Sequence, residues 1–175
     1  MIRIYMYGEV PNSEIFARRN LSADVSDVVS DIIDNVRKKG DTALFEYTQK
    51  FDGADLINLE VTEAEKEEAF ASVDSKFLEI LREAADNIRA FHEKQVRESF
   101  IINNKNGILL GQKIIPIEKV GIYVPGGTAA YPSTVLMDSI PAKIAGCNEI
   151  VMVTPPGKDG KINPVILAAA KIGTT

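Results

Sequence analysis

The clearest signal in the chain is the spacing of its apolar residues. Val25, Val28, Val29, Ile32, Ile33 and Val36 recur at steps of three and four. That spacing predicts an amphipathic helix over 24–39 with one buried stripe. Ser22 or Asp24 can cap its start, and Gly40 stands where a left-handed C-terminal residue is wanted. A short helix restarts at Asp41, runs through Leu44, Phe45 and Tyr47, and ends in an Asp52-Gly53 turn. Thr62 and Glu65 have capping-box spacing and open a helix reaching about Ser72. Asp74 or Ser75 caps a longer helix over 76–97, with Phe77, Ile80, Leu81, Ala84, Ala85, Ile88 and Phe91 as its stripe.

After Ser99 the period changes from helical to β. Segments 100–102 and 107–115 flank Asn103-Asn104-Lys105-Asn106, a hairpin-type turn, and Pro116 breaks the second strand. The run 120–124 is short and apolar, as buried parallel strands are. A Gly/Pro-rich loop over 125–132 follows. Ser133 or Thr134 then caps a helix to Ala145, with Pro141 as a kink or early break. A second strand, 150–153, leads through loop 154–160 to a last helix with Asn163 as N-cap, Pro164 at the first position and Gly173 at the end. Strand–loop–helix repeated twice is the first half of a Rossmann-like parallel sheet.

The predicted fold class is therefore α/β: an N-terminal helical region with a short β-hairpin over 1–117, then an incomplete Rossmann-like half-sheet over 118–175. Two parallel strands with two helices cannot cover both faces of a sheet. Either the helical region shields this half-sheet, or the chain is cut from a longer polypeptide; the unfinished sheet favours truncation.

Composition narrows the partners. The chain has 175 residues, 45% hydrophobic and 26% charged, so it can bury a core. A formal charge of −5 argues against a nucleic-acid partner, which needs a basic face. Its apolar runs are far shorter than the roughly 20 residues of a membrane span, so the expectation is a soluble, cytoplasmic protein. The lone Cys147 excludes an internal disulfide and reads as a small, half-buried residue at a helix end.

Candidate chemistry is sparse. Gly126 and Gly127 permit positive φ and close backbone approach to a ligand, at the carboxyl end of a strand and ahead of a helix N-terminus. The loop lacks the Gly-x-Gly-x-x-Gly spacing of dinucleotide sites. Tyr123, just before it, reads either as a half-buried aromatic with a solvated hydroxyl or as a platform for a cofactor. His92 is the only histidine and has no metal-like spacing around it, so it belongs to the helix surface. Glu63, Glu65, Glu67 and Glu68 form an acidic run on a solvated face, and no carboxylate pair stands out as an acid/base couple.

Segment 120–156, with GIYVPGG at 121–127, resembles the signature region of histidinol dehydrogenases. So do Val36-Arg37-Lys38-Lys39-Gly40-Asp41-Thr42-Ala43-Leu44, Phe51-Asp52-Gly53 and Asn87-Ile88-Arg89-Ala90-Phe91-His92. The resemblance implies a zinc-dependent homodimer with two incomplete Rossmann-like domains, oxidising L-histidinol to L-histidine with NAD in histidine biosynthesis. It implies that Tyr123 contacts NAD, with Pro125, Gly126 and Gly127 beside it. It implies that the zinc ligands and the acid/base pair lie outside this chain, so that the chain alone is inactive and holds no catalytic or metal residue. A second expectation, of another class, is a non-catalytic dimerisation or binding module with the same fold; a third is a stand-alone nucleotide-binding domain.

Overall fold

The computed structural model describes residues 4–16, 24–104, 106–126 and 129–174. It divides into two compact units, Met1–Asp41 and Thr42–Thr175.

The first unit holds α1 (Asn12–Ile15), which the sequence pattern did not signal, and α2 (Ser26–Lys39). The N-cap of α2 is Val25, with no side-chain cap bond, so Asp24 is not the cap; one residue earlier, it accepts a hydrogen bond from the Ser26 N–H at 3.0 Å, and Ser22 lies outside the described residues. Gly40 closes α2 with φ 58°, a conformation that costs residues with a Cβ. The apolar stripe, however, is not buried. No α2 residue is buried, and Val28 is 59% exposed. Periodicity marks which face of a helix is apolar; it does not supply the surface that covers it.

The second unit starts with α3 (Asp41–Asp52), whose first residue is the boundary itself, and Gly53 ends it with φ 69°. In α4 (Glu63–Ser72) the capping box forms in full: the Glu65 N–H donates to Thr62 Oγ1, and Glu65 Oε2 accepts from the Thr62 N–H at 2.7 Å. Asp74 caps α5 (Ser75–His92) by accepting from the Phe77 N–H. That helix ends at His92, short of Arg97, and tightens into a 3₁₀ turn, Glu93–Gln95, as helix ends commonly do. Strands β1 (Phe100–Asn103) and β2 (Leu109–Gln112) pair antiparallel, β2 being shorter than the expected 107–115.

Strands β3 (Lys119–Tyr123) and β4 (Glu149–Val153) pair in parallel, in register from Lys119 opposite Glu149 to Tyr123 opposite Val153. A Lys119–Glu149 ion pair at 2.7 Å marks the first rung. Helix α6 (Pro132–Ile144) begins two or three residues earlier than a Ser133 or Thr134 cap would place it. Pro132 takes the first position behind Tyr131, and neither Ser133 nor Thr134 is the cap; proline suits that position because its missing N–H would have had no partner there. Pro141 neither breaks nor ends the helix. Helix α7 (Pro164–Gly173) starts as expected, with the Val165 N–H donating to Asn163 Oδ1 at 2.9 Å.

The core joins α5, α6, α7 and one face of the parallel sheet: Leu78, Leu81 and Ala85, then Leu136 and Ile140, then Ile166, Ala169 and Ile172, with Ile122 and Val124. Phe70 of α4 packs at its edge, beneath the Lys171 ammonium of α7 at 4.6 Å. Helix α6 thus packs on one face of the half-sheet, and α5 packs against α6 and α7. The other face leaves Tyr123, Val151 and Val153 exposed. The whole is α/β, helix-rich, with a small hairpin and a partial Rossmann-like sheet.

Gly173 needs correction. It is the last, buried residue of α7, its φ is not positive, and the C-cap is Thr174. A Cβ there would fall on Ser139 Oγ of α6 and sit 3.4 Å from Leu136 Cδ2. Close helix approach, not a left-handed cap, requires the glycine. Ser139 cannot swing away freely, since it is buried and its hydroxyl donates to the Val135 carbonyl at 2.7 Å. Ordinarily Gly→Ala in a helix gains about 1 kcal/mol. Here overpacking and the lost hydroxyl bond outweigh that, so Gly173→Ala should destabilise by roughly 1–2 kcal/mol in urea unfolding. Adding Ser139→Ala should recover most of the loss; a stabilised single variant would refute this packing.

Thr62 holds the Glu65 carboxyl below the ordinary glutamate range, through its hydroxyl and then its backbone N–H. A carboxylate with a lowered folded pKa stabilises above its unfolded value and loses that contribution as pH falls through the folded one. The stability gap between wild type and Glu65→Ala is therefore expected at pH 7 and should shrink below about pH 4. A gap that does not vary with pH would contradict this.

Candidate functional site

The loops after β3 and β4 leave the sheet side by side, because the ladder continues past Tyr123: the Val124 N–H donates to the Val153 carbonyl at 2.9 Å. The second loop is held by its own turn. The Gly157 N–H donates to the Lys161 carbonyl at 2.8 Å, the Gly160 N–H to the Gly157 carbonyl, and the Lys161 N–H to Asp159 Oδ1 at 3.1 Å. Between the loops lies a cleft of about 290 Å³, lined by Gly126, Ala129 and Ala130 on one side and Pro155, Lys161 and Asn163 on the other. It opens at the carboxyl ends of two parallel strands and at the start of α7, the place where open α/β sheets bind ligands.

Of the residues singled out from sequence, the structure brings only Gly126 into this cleft. Pro125 is exposed outside its lining, and Gly127 lies outside the described residues. Tyr123 ends β3 with its side chain 65% exposed, more open than the half-buried expectation. It points to the uncovered face, opposite to its neighbours Ile122 and Val124. Gly126 also departs from expectation in kind, for its φ is not positive. Its lack of a side chain answers a contact: a Cβ would come within 2.7 Å of Pro155 Cγ and 3.1 Å of Cδ. Sequence reading passed over Pro155, Lys161 and Asn163 as parts of this cleft, although Pro155-Pro156 directly after a strand was a usable signal.

A larger cleft, about 460 Å³, lies on the other side of Pro155, walled by α3, α4 and the 56–61 segment. Two of its carboxylates are already engaged, Glu65 with Thr62 and Glu68 with Lys161 at 3.5 Å. The smaller cleft is the better candidate because of its position at the strand ends.

His92 and Cys147 line neither cleft. His92 Nδ1 lies 2.7 Å from Gln95 Oε1 and its ring stands edge-on to Phe91, a helix-end packing arrangement. Cys147 is half-buried. The acidic run is solvated, with Glu63 paired to Lys66 at 2.7 Å, a contact that holds the Glu63 carboxyl below its ordinary range. Among the described residues no group of three or more His, Cys, Asp or Glu could hold a metal ion, and no helix is long and apolar enough to cross a membrane.

A partial parallel sheet with its cleft at the strand ends places the chain in the Rossmann-like class of α/β proteins. Its residues 17–174 match the sequence pattern of one family, histidinol dehydrogenase, and the chain belongs to that family. Histidinol dehydrogenase of Heliobacterium mobile is 48% identical over 174 residues, covering 98% of this chain and 41% of that protein. The Geobacillus kaustophilus protein of the same name is 54% identical over 148 residues, covering 84% of this chain and 35% of the relative. The crystal structure of histidinol dehydrogenase from Elizabethkingia anophelis is similar with a TM-score of 0.82 and 40% identity, covering 87% of this chain and 35% of that one. The chain thus spans about two fifths of the length of the curated relatives it matches.

Proposed function

We propose that this chain supplies the cofactor-side portion of a cytoplasmic histidinol dehydrogenase, a homodimeric oxidoreductase converting L-histidinol to L-histidine with NAD and zinc in histidine biosynthesis. The observation that carries the reading is family membership over 17–174. The position of residues 123–126 at the carboxyl end of a parallel strand supports it.

The residues present fit part of an NAD molecule. Tyr123 offers a solvent-open ring at the strand end, Pro125 an exposed neighbour, and Gly126 a backbone free of side chain, with Gly127 next in sequence. When bound, NAD supplies the hydride acceptor; these residues bind and orient it and move no proton. The 290 Å³ cleft sits at the lower edge of ligand-pocket sizes, so it takes only a portion of a dinucleotide. Zinc does not fit among the described residues, which gather no three-ligand group. His92 already has a partner in Gln95.

Purified chain given zinc, NAD and L-histidinol should form no NADH, and its NAD affinity should be millimolar or weaker by calorimetric titration. Turnover above the blank, or saturable micromolar binding, would overturn the assignment of roles.

Self-association is part of the same reading. The hairpin carries Ile101 at 79% and Leu109 at 68% exposure, apolar surface that costs free energy in water. Sedimentation of the chain should show a concentration-dependent dimer; a strict monomer at all concentrations would count against it.

A further inference from the structure

The requirement for glycine at 126 comes from a neighbour, and that neighbour has a role of its own. We infer that Pro155 is a positioning residue for the cofactor loop: its ring fills the space a side chain at 126 would need, and so fixes how closely the two strand-end loops stand. The inference rests on the cofactor reading of the 123–127 segment and adds to it the element that places the segment.

Three observations converge on it. First, the backbone at Gly126 does not adopt the left-handed region, so conformation alone would admit another residue. Second, a Cβ there would stand 2.7 Å from Pro155 Cγ, 3.1 Å from Cδ and 3.1 Å from the carbonyl oxygen, all inside the 3.5–4.0 Å of ordinary carbon contact. Third, Pro155 cannot yield. Its ring fixes its own φ, and Pro156 behind it holds its backbone extended. Pro155 also walls both clefts, so moving it would alter the cofactor-side cleft and its larger neighbour together.

The bases of the two loops are tied by the Val124–Val153 hydrogen bond, only two residues before each contact partner. A displacement of Gly126 therefore cannot be absorbed upstream. The next described residues of that loop on the cleft wall are Ala129 and Ala130.

The test is a double-variant comparison on the ¹⁵N-labelled chain: wild type, Gly126→Ala, Pro155→Ala and the double variant. Pro155→Ala removes Cγ and Cδ, leaving only the carbonyl oxygen near the new methyl. Without cofactor, Gly126→Ala should shift the amide signals of Ala129, Ala130 and Gly157 at least about threefold more in the wild-type background than in the Pro155→Ala background. The initial slope of those amide shifts against NAD in the low-millimolar range, which reads even a weak affinity, should fall about tenfold or more on Gly126→Ala in the wild-type background and under about threefold when Pro155→Ala is already present. Equal effects in both backgrounds would overturn the inference. If Gly126→Ala fails to fold, a folded double variant supports the contact and an unfolded one refutes it. If wild-type loop amides show no NAD-dependent slope even in the millimolar range while the cofactor-free coupling appears, the cofactor reading falls and the positioning contact stands.

Discussion

The approach of α6 to α7 is the constraint on which the larger unit depends. Gly173 lies against Ser139 and Leu136 with no room for a methyl group, and Ser139 stays in place by donating to its own helix. Around that contact, Ile140, Ile166, Ala169 and Ile172 close the interior, and Leu78 and Leu81 of α5 seal its far side. Interiors packed to crystal-like density transmit small displacements instead of absorbing them. The depth at which α7 sits therefore fixes where its N-terminus emerges, and with it Asn163, Lys161 and the loop arriving from β4.

That chain of contacts makes the strand-end cleft a product of the core. Val124 is buried and bonded to the Val153 carbonyl, so each loop leaves from a fixed point. Beyond those points each loop has its own stiffener: the Gly157–Lys161 turn and the proline pair ahead of it in the loop after β4, and Pro132 setting the start of α6 in the other. Ligand-binding loops are often drawn from the least stable parts of a fold. Here the described portions of both loops are instead anchored within a few residues of the packed sheet.

What the sequence revealed follows the range of the interactions involved. Local chemistry was legible: the Thr62–Glu65 capping box, Asn163 ahead of Pro164, and the glycines at 40 and 53 all act within a few residues. The change from helical to strand period placed every strand within a few residues. The failures concern partners distant in sequence. The stripe on α2 told of an apolar face and nothing of its cover. Gly126 and Gly173 look like turn glycines, yet the structure uses them for close contact with Pro155 and Ser139, 29 and 34 residues away in sequence. A glycine needed for φ and one needed for space carry the same letter. In the candidate site the same limit applied, for the loop was legible while its opposing wall of Pro155, Lys161 and Asn163 was not.

Alternation along β3 puts Tyr123 and the cleft on different sides of the sheet. Ile122 and Val124 face the core, so Tyr123 shares the open face with Gly121, Val151 and Val153. Gly121 leaves open space next to it, since a Cβ there would meet nothing within 4 Å. Gly126 lies past the strand end, where the cleft runs back toward Ile166 on the packed side. A ligand touching both Tyr123 and Gly126 must therefore cross over the carboxyl end of β3, and cannot lie within one cavity. The exposed valines cost roughly 25 cal/mol for each Å² left in water, and any body that covers them, cofactor or protein, recovers it.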